Sequence, residues 1–84
     1  MTPEQSLDLR MAEPLADDNV IHLRISFPDG PKTYSYAGLK VGGLWYLTGR
    51  DGGTGKPWSD LIDELVRKDA TVVSIRRATE WENL

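Results

Sequence analysis

The residues best suited to chemistry lie between Leu44 and Val66, in the run LWYLTGRDGGTGKPWSDLIDELV. An aromatic stretch enters a loop of Gly49, Gly52, Gly53 and Gly55, with Arg50 and Lys56 among them, and Pro57 leads into a helical pattern. Strand, glycine loop, lysine and helix is the setting in which backbone N–H groups cradle a phosphate. Here the P-loop pattern G-x-x-x-x-G-K-[ST] is not met. Gly55-Lys56 supplies its GK pair, but Arg50 stands where the first glycine belongs and Gly49 is one position early. Pro57 replaces the hydroxyl that would hold magnesium, and it removes an N–H at the helix start. Two readings remain. Arg50, Lys56 and loop N–H groups hold an anion near a helix N-terminus, or the glycines simply supply unusual φ values in a tight surface loop. The second is the simpler.

Other chemistry has less to stand on. His22 is the only histidine, and no G-x-S-x-G elbow accompanies it, so a surface or interface histidine is the reading. Asp60, Asp63 and Glu64 are close in sequence, yet Arg67 and Lys68 come after them at helical spacing. Acid–base work needs carboxylates converging in a pocket; a solvated helix face accounts for these. There is no cysteine, which excludes disulfides and thiolate metal sites. No catalytic residue and no cofactor are implied. Tyr34 and Tyr36 repeat at strand spacing, and aromatics on a sheet either stack single-stranded bases or anchor protein contacts. The formal charge of −3 speaks against broad attraction to nucleic acid or anionic lipid. Protein contact is favoured.

Elements that would position these residues are legible. Val20 to Phe27 alternates, with Ile21, Leu23, Ile25 and Phe27 on one face and Val20, His22, Arg24 and Ser26 on the other. Pro28-Asp29-Gly30-Pro31 ends that strand. A second strand from about Lys32 to Val41 places Tyr34 and Tyr36 on one face and Ala37, Leu39 and Val41 on the other. Gly42-Gly43 suits a two-residue hairpin, so Leu44 to Thr48 should pair antiparallel with it. Trp58, Leu61, Ile62, Leu65 and Val66 make one apolar stripe, the mark of an amphipathic helix. Pro57 fits its first position, or Ser59 its N-cap. Asp63–Arg67 and Glu64–Lys68 are spaced for i, i+4 pairs. Thr71 to Ala78 reads as a fourth strand with Val73 and Ile75 facing the core.

The expected fold is α+β, in the order β-β-β-α-β: a four-stranded mixed sheet with one helix packed on one face. The fourth strand would run parallel to its neighbour, either the first strand or the third. Tyr34, Tyr36 and Tyr46 would then lie on the face left uncovered. Residues 1–18 hold Pro3, Pro14 and scattered charge without a sustained period, and read as a disordered arm before one domain at 19–84. A folded part of roughly 65 residues has a marginal core, which makes a homo-oligomer the expectation. No apolar run approaches the roughly 20 residues of a membrane span, and the start lacks a signal peptide's pattern.

The run WYLTGRDGGTGKPWSDLIDELV, with the strand VVSI after it, resembles small proteins encoded by bacteriophages of actinobacteria, mycobacteriophages in particular. The likeness covers Tyr34 to about Ile75. That group has no assigned activity, so no residue role carries over. The resemblance implies a phage accessory protein working in the cytoplasm of an infected bacterium, by binding itself or a host protein. Tyr34, Tyr36 and Tyr46 are the expected face contacts, with Arg50 and Lys56 as polar loop contacts. The alternatives are a single-stranded nucleic-acid binder and an anion or small-ligand module at the loop.

Overall fold

Alternation in the first strand does what its pattern dictates. In a computed structural model that describes residues 1–49, 54–78 and 80–84, β1 runs Val20–Ser26 and buries Ile21, Leu23 and Ile25 almost completely. Strand β2 (Thr33–Val41) pairs antiparallel with β1, and β3 (Leu44–Leu47) antiparallel with β2. Gly42 and Gly43 have φ of +60° and +81°, the left-handed values that a tight two-residue turn demands and that only glycine adopts freely. The meander stands as expected.

The fourth strand does not. Strand β4 (Thr71–Ala78) lies beside β1 and runs antiparallel to it, giving the order β3-β2-β1-β4 and a wholly antiparallel sheet rather than a mixed one. The cause is an extra pass of chain. Lys56 forms an antiparallel bridge with Trp45, so the segment after the glycine loop returns along β3 before helix α2 (Trp58–Arg67) begins. That return inverts the direction in which the helix delivers the chain to β4. A second departure is a register shift between Arg24 and Ile25, which face Ser74 and Val72 and leave Val73 as the extra residue of a bulge. Val72 and Ile75 therefore share the core face, and Val73 points outward at 55% exposure, contrary to the simple alternation.

Trp58, Leu61, Ile62 and Leu65 bury the stripe of α2 against the sheet, while Val66 stays at its margin. Pro57 is the N-cap rather than the first helical residue, so α2 starts one position later than that reading, and Ser59 sits inside the helix. Glu64 and Lys68 pair at 3.0 Å as their spacing predicts. Asp63 instead meets Arg10 at 2.7 Å.

Arg10 belongs to the segment expected to be disordered, which is instead built in. Pro3–Arg10 form helix α1, capped where the Gln5 N–H donates to Thr2 Oγ1. It lies beside α2 on the same face of the sheet, so that face carries two helices. Trp58 Nε1 donates to the Leu9 carbonyl at 2.7 Å, and the Gln5 amide both donates to Val72 O and accepts from Val72 N–H. Further along the chain, Glu13 accepts from Trp45 Nε1 at 2.9 Å and faces Lys40 Nζ at 3.2 Å. The same ammonium donates to the carbonyls of Pro14 and Leu15. Asp17 then accepts the N–H groups of both Gly42 and Gly43, closing over the hairpin turn. Leu9 is the one leucine of this segment buried in the core; the other attachments are polar, while Leu7, Met11 and Leu15 point outward. A segment held this way leaves no apolar period to read.

Candidate functional site

Placement of the three tyrosines is set by register. Residues opposite one another in an antiparallel pair share a face. Tyr34 stands opposite Ile25 and Tyr36 opposite Leu23, so both lie on the helix-covered side. Tyr46 stands opposite Leu39, on the other side. The expectation of one shared, uncovered tyrosine face is therefore corrected. Strand β2 misleads because its inward positions are Tyr34, Tyr36, Gly38 and Lys40, whereas its outward ones include Ala37, Leu39 and Val41. Gly38 is inward because a Cβ there would lie 2.5 Å from Leu47 Cδ2. Lys40 is inward because Glu13 and two carbonyls receive its charge.

Tyr34, Tyr36 and Lys56 do come together, at the end of the sheet near the glycine loop. Tyr36, Phe27, Leu47, Lys56, Glu64 and Lys68 border a cleft of about 80 Å³, and Tyr34 packs on Phe27 at 5.8 Å between ring centroids. Gly49, at φ +112°, lies flat against the Tyr36 ring, where a Cβ would come within 3.0 Å. Arg50, the remaining expected contact, lies outside the described residues. Glu64 sits between two cations, accepting from Lys56 Nζ at 2.6 Å and from Lys68 Nζ at 3.0 Å. The Lys56 hydrogen bond first, and the Lys68 bond second, hold the Glu64 carboxyl below its ordinary 4.5. The backbone N–H and C=O of Lys56 are both committed to Trp45. Lys56 thus clamps the loop's exit to α2.

The clamp has a pH signature. A carboxyl whose folded pKa is lowered adds stability that is present above the unfolded value, 4.5, and is lost as pH falls through the lower folded value. Glu64→Gln should therefore cost about 1 kcal/mol at neutral pH, the sum of two partly exposed pairs. Urea denaturation should show the deficit shrinking toward zero in strong acid. A deficit that persists unchanged there would mean that charge is not what Glu64 contributes.

His22 lies half-buried on the uncovered face, between Ala37 and Arg76. Asp60 is exposed on α2, and Asp63 and Glu64 are ion-paired. Among the described residues, no group of three or more His, Cys, Asp or Glu side chains is placed to hold a metal ion.

An uncovered face is the expected contact surface, but of the expected tyrosines only Tyr46 lies on it, and its other residues are not among the expected contacts. Register aligns Ala78, Val20, Leu39 and Tyr46 into one row across all four strands. Val20 and Leu39 are each 41% exposed and Tyr46 is 39% exposed. Gly55 packs beneath Tyr46, where a Cβ would lie 2.7 Å from Cζ, so the ring is held across the backbone. The next positions along the strands bring His22 with Arg76 and then Arg24, whose Nε donates to Ser74 Oγ at 2.7 Å. None of the four strands contains an Asp or a Glu. The open face thus carries Arg24 and Arg76 with no strand carboxylate beside them, while Lys40 and Arg77 lie on the inward register. The outward alternation of β1 together with that of β2 is the signal that could have found it.

No family model, no curated protein and no solved structure matches the chain. Among the described residues, no helix is long and apolar enough to cross a membrane.

Proposed function

We propose that this chain is a non-enzymatic interaction domain that self-associates through its uncovered sheet face. The observation that carries this reading is the exposed row Ala78–Val20–Leu39–Tyr46, bordered by His22, Arg76 and Arg24. Apolar side chains with a rigid aromatic anchor supply the contact energy of protein interfaces. Charge supports a second copy as the occupant. A basic face on a molecule of net charge −3 attracts the acidic surface of its own twin. The small core of this domain points the same way, because an interface adds buried apolar area to it.

The setting is the cytoplasm of a phage-infected bacterium, as the resemblance implies, and a host protein presenting similar acid and apolar groups would compete for the same face. A nucleic-acid strand fits less well. Tyr46 alone of the three tyrosines stands on this face, whereas stacking uses successive aromatics.

Light scattering over a concentration series tests the reading. The wild-type mass should rise from 9.4 kDa toward twice that value, and Leu39→Glu should stay at the monomer mass with its melting temperature little changed. A wild-type monomer at every concentration, or a Leu39→Glu protein that assembles normally, overturns it.

A further inference from the structure

The open face needs an occupant that is acidic and apolar at once, and one segment of the chain has that composition. After β4 come Glu80, Trp81, Glu82, Asn83 and Leu84, outside any helix or strand. Trp81 is 78% exposed, its ring left largely open to solvent. An exposed tryptophan is the side chain with most to gain from a contact. We infer that this tail is what lies on the uncovered face, exchanged between two copies so that each tail crosses the partner's apolar row. The inference rests on the self-association reading and names the segment that makes the contact.

Reach and direction are both suitable. Five extended residues span about 17 Å, and a row across four strands at about 4.8 Å spacing is about 14 Å wide. Each tail leaves its own sheet just past Ala78, which is the end of the row. A two-fold axis near that end sends each tail onto the other's Val20, Leu39 and Tyr46, and the exchange is reciprocal and closed. Trp81, three residues past Ala78 and so at most about 10 Å from it, would lie over the partner's Val20 and reach toward Leu39, with Leu84 carried on toward Tyr46. Glu80 and Glu82 bring carboxylates to Arg24 and Arg76, on a face whose strands have none of their own. Exchange places unlike charges together, whereas direct stacking of two bare faces would place arginines against arginines.

A charge-swap experiment decides the matter, read by light scattering and by analytical ultracentrifugation of mixtures. Arg24→Glu/Arg76→Glu makes face and tail both acidic; Glu80→Lys/Glu82→Lys makes both basic. Each variant alone should dimerise at least about 10-fold more weakly than wild type, because both contacts repel. Mixed together they should form a heterodimer, since each tail then meets a face of opposite charge. Trp81→Ala, at an exposed position that leaves the monomer's stability intact, should also weaken dimerisation about 10-fold or more. If Trp81→Ala and the basic-tail variant both assemble like wild type while Leu39→Glu does not, the face is the interface and the tail is not its occupant. If the mixture gives no heterodimer, the exchange is overturned even where Trp81 matters. If Leu39→Glu and the tail variants all assemble normally, or the wild type is a monomer, the face reading and the exchange fall together.

Discussion

Trp58→Ala should cost about 3–5 kcal/mol of stability, the ordinary range for deleting a large buried aromatic. Trp58 joins three parts of the molecule. Its ring packs on Trp45 at 5.4 Å between centroids, it anchors the first turn of α2, and its Nε1–H reaches the Leu9 carbonyl in α1. Removing it leaves a cavity and takes from the Leu9 carbonyl one of its two donors, the Ala12 N–H remaining. Amide exchange in α1 should accelerate more than exchange in β1 or β2, because α1 loses its deepest attachment. Trp58→Phe should lose less, keeping most of the volume but not the hydrogen bond. If Trp58→Ala melts within about 1 kcal/mol of wild type, the two helices are not packed as described.

Lys40 is the second large effect. Its ammonium is buried and faces Glu13, which also accepts from Trp45, and it donates to two backbone carbonyls. Lys40→Ala strands those acceptors and should cost about 3 kcal/mol, the lower end for breaking a buried pair because Glu13 keeps some contact with water. Lys40→Met with Glu13→Gln should cost clearly less, since both charges leave together and the methylene stem is retained. Urea denaturation of the single and double variants distinguishes these outcomes. A single variant no worse than the double would show that the ion pair does not hold residues 13–18 in place.

Much of this fold can be read from the chain, and the exceptions share a cause. The alternation of β1, the Gly42-Gly43 turn and the stripe of α2 are local patterns that burial enforces, so they survive into the structure. The N-terminal segment is invisible to that kind of reading because Gln5, Glu13 and Asp17 attach it through hydrogen bonds. Strand β4 is misread because one bulge residue, Val73, shifts the phase of the alternation on either side of it. The inward face of β2 is misread because it holds a glycine and a lysine, each with a tertiary reason that no local pattern records. Sheet direction depends on the bridge between Lys56 and Trp45, a contact made by a loop whose composition says only that it turns.

The same limits govern the candidate site. Tyr36 and Lys56 border one cleft on the helix side, with Tyr34 packed on Phe27 at its edge, and Tyr46 stands apart on the sheet's open face. The row that Tyr46 completes emerges only when the registers of three strand pairs are known together.

The most direct test of that row as the contact surface is a dilution series monitored by NMR of methyl and aromatic resonances. Signals of Val20, Leu39, Tyr46 and Trp81 should move with concentration, while those of Ile62, Trp58 and the Tyr36 cleft stay fixed. Shifts confined to the Tyr34–Tyr36 end, or no concentration dependence at all, would contradict the account.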